Sequence, residues 1–120
     1  MATILVINAK AGLVLATQTA LQSANHETII ASSASDAITL LDTVQPTLIL
    51  LGDTHQSIRE AIAILKAHPQ TRGVPIILQS DQLVVHNLEY QQLLGATAVI
   101  ESPFSARRLV SDIAHWIQPA

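Results

Sequence analysis

The amino-acid sequence has no cysteine, few aromatic residues and few charges. The absence of cysteine excludes disulfide bonds and metal sites built on thiolates. Aromatic residues make up only 2% of the chain, so a buried core has to be built from aliphatic side chains. Charged residues make up 12% and hydrophobic residues 49%, a balance that excludes an intrinsically disordered chain. With 120 residues, we expect one compact domain that spans 1–120.

Features typical of nucleic-acid binding, export and membrane insertion are missing as well. The chain has six basic residues and a net charge of −3, and it lacks a set of aromatic side chains on which bases could stack. The longest apolar runs, such as those at 48–51 and 74–78, are far too short to span a membrane. The first ten residues, MATILVINAK, have neither the basic region nor the long apolar region of a signal peptide. We therefore expect a cytoplasmic protein that binds neither nucleic acids nor membranes.

Five short apolar runs alternate with stretches in which apolar residues recur at helical spacing. The runs lie at 3–7, 28–31, 48–51, 75–78 and 98–100, and their continuity is typical of parallel strands buried on both faces. The helical stripes lie at 13–24, 38–44, 58–65, 83–94 and 109–116. Ser35 is the expected N-cap of the second helix, with Asp36 in its first turn, and Ser105 that of the last. The alternation predicts an α/β fold with helices on both faces of a parallel sheet.

The residues that follow the predicted strands are the candidates for function, because open α/β sheets bind ligands beyond the carboxyl ends of their strands. Asn8 and Ala9 follow the first run, and Gly52 and Asp53 follow the third. Elsewhere the five histidines show neither i,i+4 pairing nor acidic surroundings, and the four glycines are too isolated to cradle a phosphate. We therefore expect no enzyme, no metal site and no cofactor.

Four stretches of the chain resemble, in order and in spacing, the receiver domain of two-component response regulators. ILVINAK at 4–10 stands where that family has a strand that ends in two acids, and QPTLILLGD at 45–53 resembles P-D-L-I-L-L-D. KAHPQTRGVPIILQS at 66–80 resembles a helix end followed by D-P-x-T-x-x-I-P-I-I and a hydroxyl residue. GATAVIESPF at 95–104 resembles G-A-D-D-Y-L-V-K-P-F. The resemblance implies a flavodoxin-like (CheY-like), doubly wound sheet of five parallel strands in the order 2-1-3-4-5, with five helices.

The resemblance also implies a phosphorylation site, most of which this chain lacks. In the family, two acids after the first strand hold Mg²⁺, and an aspartate at the end of the third strand accepts the phosphoryl group. An aspartyl phosphate is crowded with negative charge, so a metal ion and an ammonium group have to neutralise it. Here Asn8 and Ala9 stand at the positions of the acids, and Gly52 stands at the position of the phosphoacceptor.

The remaining positions of that site follow the fourth and fifth strands. Ser80 keeps the family's hydroxyl residue and Pro103 keeps its proline, but Ser102 replaces the lysine. Val99 replaces the aromatic residue of the fifth strand. Because Mg²⁺ needs one or two protein carboxylates, we expect a degenerate receiver, or pseudo-receiver, which keeps the scaffold and has lost the phosphoryl chemistry. Its function would be phosphorylation-independent signalling through protein interaction.

Two alternatives use the same positions. A one-residue bulge at Gly52 would bring Asp53 to the acceptor position, or Ser80 would accept the phosphoryl group, so that an atypical receiver remains. Alternatively, the small residues Ala9, Gly52 and Ser102 open a pocket at the strand ends that serves as a small-molecule sensor.

The expected interaction surface is implied by the resemblance and by the apolar character of the fourth predicted helix. In receivers, the face of the fourth helix, fifth strand and fifth helix commonly mediates dimerisation or partner docking. The expected partner is a signalling protein such as a histidine kinase, or a second copy of the chain. The residues of this face are Leu83, Val84, Tyr90, Gln91, Val99, Arg107, Arg108 and Trp116.

Overall fold

The structure, a computed structural model, describes residues 2–41, 45–52, 58–80, 98–101 and 106–117. Within these ranges, strands and helices alternate as the apolar pattern predicts. In chain order they are β1 (Thr3–Ile7), α1 (Ala11–Ser23), β2 (Glu27–Ala31), α2 (Ala34–Leu41), β3 (Leu48–Leu51), α3 (Ile58–Ala67), β4 (Ile76–Ser80), β5 (Ala98–Glu101) and α4 (Ala106–Ile117). The helix predicted over 83–94 lies outside the described residues.

The strands form one parallel sheet in the order β2-β1-β3-β4-β5. This is the order that the resemblance implies, and the prediction of a flavodoxin-like (CheY-like) α/β fold is confirmed. Because all strands run in the same direction, their carboxyl ends lie along one edge of the sheet. The inner strands β1 and β3 are neighbours, so the residues that follow them are brought close together at this edge.

Two apolar clusters form the core, one on each face of the sheet. Successive residues of β1 point to opposite faces, so that Ile7 packs with residues of α2 and α3, whereas Val6 packs with residues of α1 and α4. The large, fully buried side chains in the described part of the chain are leucine and isoleucine, as the shortage of aromatic residues predicts. Full burial of one such side chain stabilises the fold by about 1.5–3 kcal/mol.

Each of the four described helices buries part of the stripe that its spacing predicts. Leu21 of α1, Leu41 of α2, Leu65 of α3 and Ile113 of α4 are all fully buried against the sheet. Among the described residues, no helix combines the length and the apolar character that crossing a membrane requires.

The start of α2 differs from the prediction, because its N-cap is Ser33 and not Ser35. The helix begins at Ala34, and the backbone N–H of Asp36 donates a hydrogen bond of 3.1 Å to Oγ of Ser33. The hydroxyl of Ser32 donates in turn to Oδ2 of Asp36 at 2.9 Å. A capping hydroxyl reaches the N–H three residues further on, which places the cap before Ala34 and leaves Ser35 inside the helix. Asp36 does lie in the first turn, as predicted.

Candidate functional site

The ends of β1 and β3 bring two of the predicted site residues, Asn8 and Gly52, to one place. Ile7 pairs with Leu51, and the N–H of Gly52 donates a hydrogen bond of 2.8 Å to the carbonyl oxygen of Ile7. On the other side of β1, the N–H of Asn8 donates to the carbonyl oxygen of Ala31 at 3.0 Å. Asn8 and Gly52 are both buried, and the backbone of each is fixed by these continuations of the sheet.

The side chain of Asn8 has one satisfied atom and one unsatisfied atom. Its Oδ1 accepts a hydrogen bond of 2.8 Å from the backbone N–H of Lys10, the turn that asparagine commonly forms with the residue two places on. Its Nδ2 is buried and has no hydrogen-bond partner in the described part of the chain. The orientation is fixed, because turning the amide over would set two donors against each other. A buried donor left unpaired destabilises a fold by about 1–3 kcal/mol.

The N-terminus of α1 lies beside this amide. Lys10 is the N-cap of α1, with φ −91° and ψ 104°, and no side chain caps the helix. The N–H of Val14 makes a hydrogen bond of 3.0 Å to the carbonyl oxygen of Lys10. The N–H groups of the first turn have no acceptor within the helix, and the turn contains no acidic residue. The site therefore carries the partial positive charge of a helix N-terminus.

The described residues at these strand ends, Asn8, Ala9 and Gly52, offer no carboxylate to the magnesium ion that the resemblance implies. Mg²⁺ is bound by oxygen ligands and usually needs one or two carboxylates. The unsatisfied atom of Asn8 is an amide nitrogen, which donates a hydrogen bond and cannot coordinate a cation. Ala9 and Gly52 have no side-chain oxygen at all. Among the described residues, no group of three histidine, aspartate or glutamate side chains could hold a metal ion.

The other predicted site residues are placed in part. Ser80 ends β4 two residues after Leu78, the partner of Leu51, so its backbone lies at the same edge of the sheet as Asn8 and Gly52. Ala9 follows Asn8 at this edge and is half-buried. The remaining positions, Asp53, Ser102 and Pro103, lie outside the described residues. The arrangement of Ser102 and Asp53 around the site therefore stays a prediction.

The predicted interaction face is also placed only in part. Val99 belongs to the edge strand β5 and pairs with Leu78, while Arg107, Arg108 and Trp116 belong to α4. The other members of that face, Leu83, Val84, Tyr90 and Gln91, lie outside the described residues. The face stays a prediction.

A groove of about 330 Å³ opens at the same end of the sheet, between β2 and α2. Leu40, which is 52% exposed, lies on its rim. Asn8 does not line this groove, but its N–H is bonded to the carbonyl oxygen of Ala31, which does. The lining residues are Ile30, Ala31, Ser32, Asp36, Thr39 and Leu40.

The amide donor of Asn8 is a feature that sequence reasoning missed. Replacement of an acid by Asn8 accounts for a lost metal ligand but not for an unpaired donor. The signal that points to it is an asparagine directly after a mostly buried strand and two residues before the N-cap of a helix.

The chain matches no protein-family model and no curated protein. Solved structures do match it. The chemotaxis response regulator CheY4 of Vibrio cholerae has a TM-score of 0.85 and 17% identity over 97% of this chain and 98% of that chain. The receiver domain of the sensor histidine kinase PA1611 from Pseudomonas aeruginosa, which has a magnesium ion coordinated in its active site cleft, has a TM-score of 0.83 and 18% identity over 97% of each chain. The phosphorylated cyanobacterial phytochrome response regulator RcpA has a TM-score of 0.77 and 19% identity over 97% of this chain and 93% of that chain.

These likenesses concern the whole described fold and not one motif. The similar structures are response regulators and receiver domains, and this chain has their CheY-like fold. At identities of 17–19%, the likeness shows the fold alone. The chemistry has to be inferred from the residues of the site.

Proposed function

We propose that this chain is a signalling and protein-interaction module of the two-component receiver superfamily that works without phosphorylation. One observation carries the proposal: Asn8, Ala9 and Gly52 occupy the ends of β1 and β3, where a receiver needs the acids that bind Mg²⁺ and accept the phosphoryl group. In this proposal the chain is one domain, acts in the cytoplasm and is not an enzyme.

The missing acids remove the means of forming and holding an aspartyl phosphate. Two opposite unit charges about 4 Å apart attract by about 4 kcal/mol at an effective dielectric constant of about 20, before the cost of desolvation. Without carboxylates at positions 8 and 9, that attraction is not available to a magnesium ion. Gly52 offers no group to be phosphorylated, and Ser102 offers no ammonium group to neutralise a phosphate.

The proposed partner is a signalling protein such as a histidine kinase, or a second copy of this chain. It would dock on the face formed by the helix predicted over 83–94, β5 and α4. The position of β5 at the edge of the sheet supports this choice. Only 12% of the residues are charged, which supports a partner that is a protein and not a nucleic acid.

Backbone amide NMR with Mg²⁺ and beryllofluoride, a mimic of the aspartyl phosphate, tests the proposal. We expect an unchanged spectrum, because no carboxylate follows β1 to hold the metal ion. The matched positive control is the variant Asn8→Asp, Ala9→Asp, Gly52→Asp and Ser102→Lys, which restores the acids and the ammonium group of a receiver. We expect its resonances near the strand ends to move on addition of the mimic.

Shifts of the natural chain that cluster on 52–54 and 80–82 would overturn the proposal. If Asp53→Asn abolished them, Asp53 would be the acceptor and the chain would be an atypical receiver. If Asp53→Asn left them and Ser80→Ala abolished them, Ser80 would be part of the binding site of the mimic and Asp53 would not be the acceptor.

A further inference from the structure

The amide donor of Asn8 is the least explained feature of the strand ends. The side chain is 3% exposed, and its Nδ2 has no partner in the described part of the chain. Buried donors are nearly always paired in folded proteins, so an unpaired one calls for a physical reason. Because the N–H of Lys10 holds Oδ1, the amide cannot turn over to relieve the donor. An acceptor brought by another molecule would satisfy it.

The first turn of α1 favours the same kind of molecule. The carboxamide of Asn8 is bonded to the N-cap residue of this helix, so it lies against the helix N-terminus. The helix is 13 residues long, has no side-chain cap and has no acid in its first turn. A Cβ built on Gly12, within that turn, would meet no atom within 4 Å, so there is open space beside it. N–H groups that have no acceptor within the helix, together with the positive helix end, form a binding site for anions.

We propose that the end of β1 and the first turn of α1 form a binding site for a small oxyanion, either a phosphate group or a carboxylate. Nδ2 of Asn8 donates to one oxygen of this ligand, and N–H groups of the first turn donate to another. The receiver domain of PA1611 has a cation coordinated in its active site cleft, whereas this site would bind the opposite charge.

Binding at this site is coupled to a local change of structure. Nδ2 is closed off from solvent, so an oxyanion reaches it only after the atoms that cover it move. A ligand that binds the open arrangement and not the closed one shifts the population toward the open one. The concentration of the anion would therefore set the conformation of the strand ends, without any covalent modification.

The test is a titration of the ¹⁵N-labelled chain with sodium phosphate and, separately, with sodium acetate. Sodium chloride at matched ionic strength removes the general effect of salt, and a chelator removes divalent cations. We expect saturable shifts of the Asn8 side-chain amide and of the backbone amides of residues 11–13 with phosphate, acetate or both. The anion that saturates at the lower concentration identifies the preferred group.

Variants of Asn8 test whether its Nδ2 donor is responsible for anion binding. Asn8→Asp keeps the oxygen that accepts from Lys10 and replaces the donor with a negative charge, while Asn8→Ala removes the donor without adding a charge. We expect the affinity to fall by about tenfold or more in both, the loss of one hydrogen bond to a charged group. Asn25→Asp, at the other end of α1, is the matched control and should bind like the natural chain.

Two outcomes would overturn the inference. One is the absence of saturable shifts with both anions, and the other is binding that survives both Asn8 variants. Neither outcome depends on the response to Mg²⁺ and beryllofluoride, so the failure of this inference and the failure of the proposed function are distinguishable.

Discussion

The backbone N–H of Ala2 donates a hydrogen bond of 3.2 Å to Nδ1 of His26, which joins the residue before β1 to the residue before β2. This nitrogen accepts a hydrogen bond only while it carries no proton. Burial, and next the positive charge of the amino terminus, lower the pKa of His26 from its ordinary value of 6.5. The folded state therefore favours the neutral imidazole.

The free energy of unfolding should consequently fall as the pH is lowered from 6.5 toward the folded-state pKa of His26. The unfolded chain binds a proton in this window that the folded chain does not, so the contribution of His26 to stability is fully present only above 6.5. Urea denaturation at a series of pH values measures the slope. We expect His26→Gln to make the slope shallower between the two pKa values, and an unchanged slope would contradict the role assigned to His26.

The N-cap of α2 can be tested against a second serine of the same segment, which serves as the control. Ser33→Ala should lower the free energy of unfolding by about 1 kcal/mol, because the N–H of Asp36 loses its acceptor. Ser35→Ala makes the same chemical change two residues later, inside the helix, and should have an effect of about 0.5 kcal/mol or less. Chemical denaturation of both variants shows which serine caps the helix. A larger loss of unfolding free energy in Ser35→Ala than in Ser33→Ala would reverse the assignment.

The buried hydroxyl of Thr71 should contribute more than an exposed one. It donates a hydrogen bond to the carbonyl oxygen of Leu65 in the last turn of α3, and the side chain is fully buried. Thr71→Val keeps the shape and removes the hydroxyl, and we expect a loss of about 1–2 kcal/mol. The control is Thr39→Val, since the exposed hydroxyl of Thr39 also donates to a helix carbonyl, that of Ser35, at 3.3 Å. Equal losses of unfolding free energy in the two variants, measured by thermal or urea denaturation, would show that burial does not increase the contribution of the hydroxyl.

The aliphatic core should be sensitive to truncation. Leu50 is fully buried in β3, and Leu50→Ala should lower the free energy of unfolding by about 2–5 kcal/mol through lost burial and the cavity left behind. Leu40, which is 52% exposed on α2, provides the matched substitution, and Leu40→Ala should cost about 0.5 kcal/mol or less. A loss for Leu40→Ala as large as that for Leu50→Ala would indicate that Leu40 packs against more than the structure shows.

The strands were predictable because their apolar runs are bounded by turn residues and polar residues. The bounds of β1 and β3 agree with the prediction to the residue. The strand order was predictable only through the resemblance, because apolar periodicity says nothing about which strands are neighbours. The N-cap of α2 was not predictable by composition alone, since Ser32, Ser33 and Ser35 all offer a hydroxyl and only the start of the helix at Ala34 decides among them.

The placement of Asn8 and Gly52 was predictable, but the hydrogen bonding of their side chains was not. The rule that ligands bind beyond the strand ends directs attention to these two residues, which the pairing of β1 with β3 brings together. The sequence could not show which atom of the Asn8 amide would be left without a partner. That depends on the N–H of Lys10, whose direction is set by the turn into α1.

The strand order also bears on how the chain folds while it is being synthesised. β1 and β2, the first two strands in the chain, are neighbours in the sheet, β3 lies on the other side of β1, and β4 and β5 follow outward in turn. Each new strand thus has a neighbour that was synthesised before it, and no position inside the sheet has to stay vacant for a later segment. Folding can therefore follow translation from the N-terminus, with each crossover closing only a short loop.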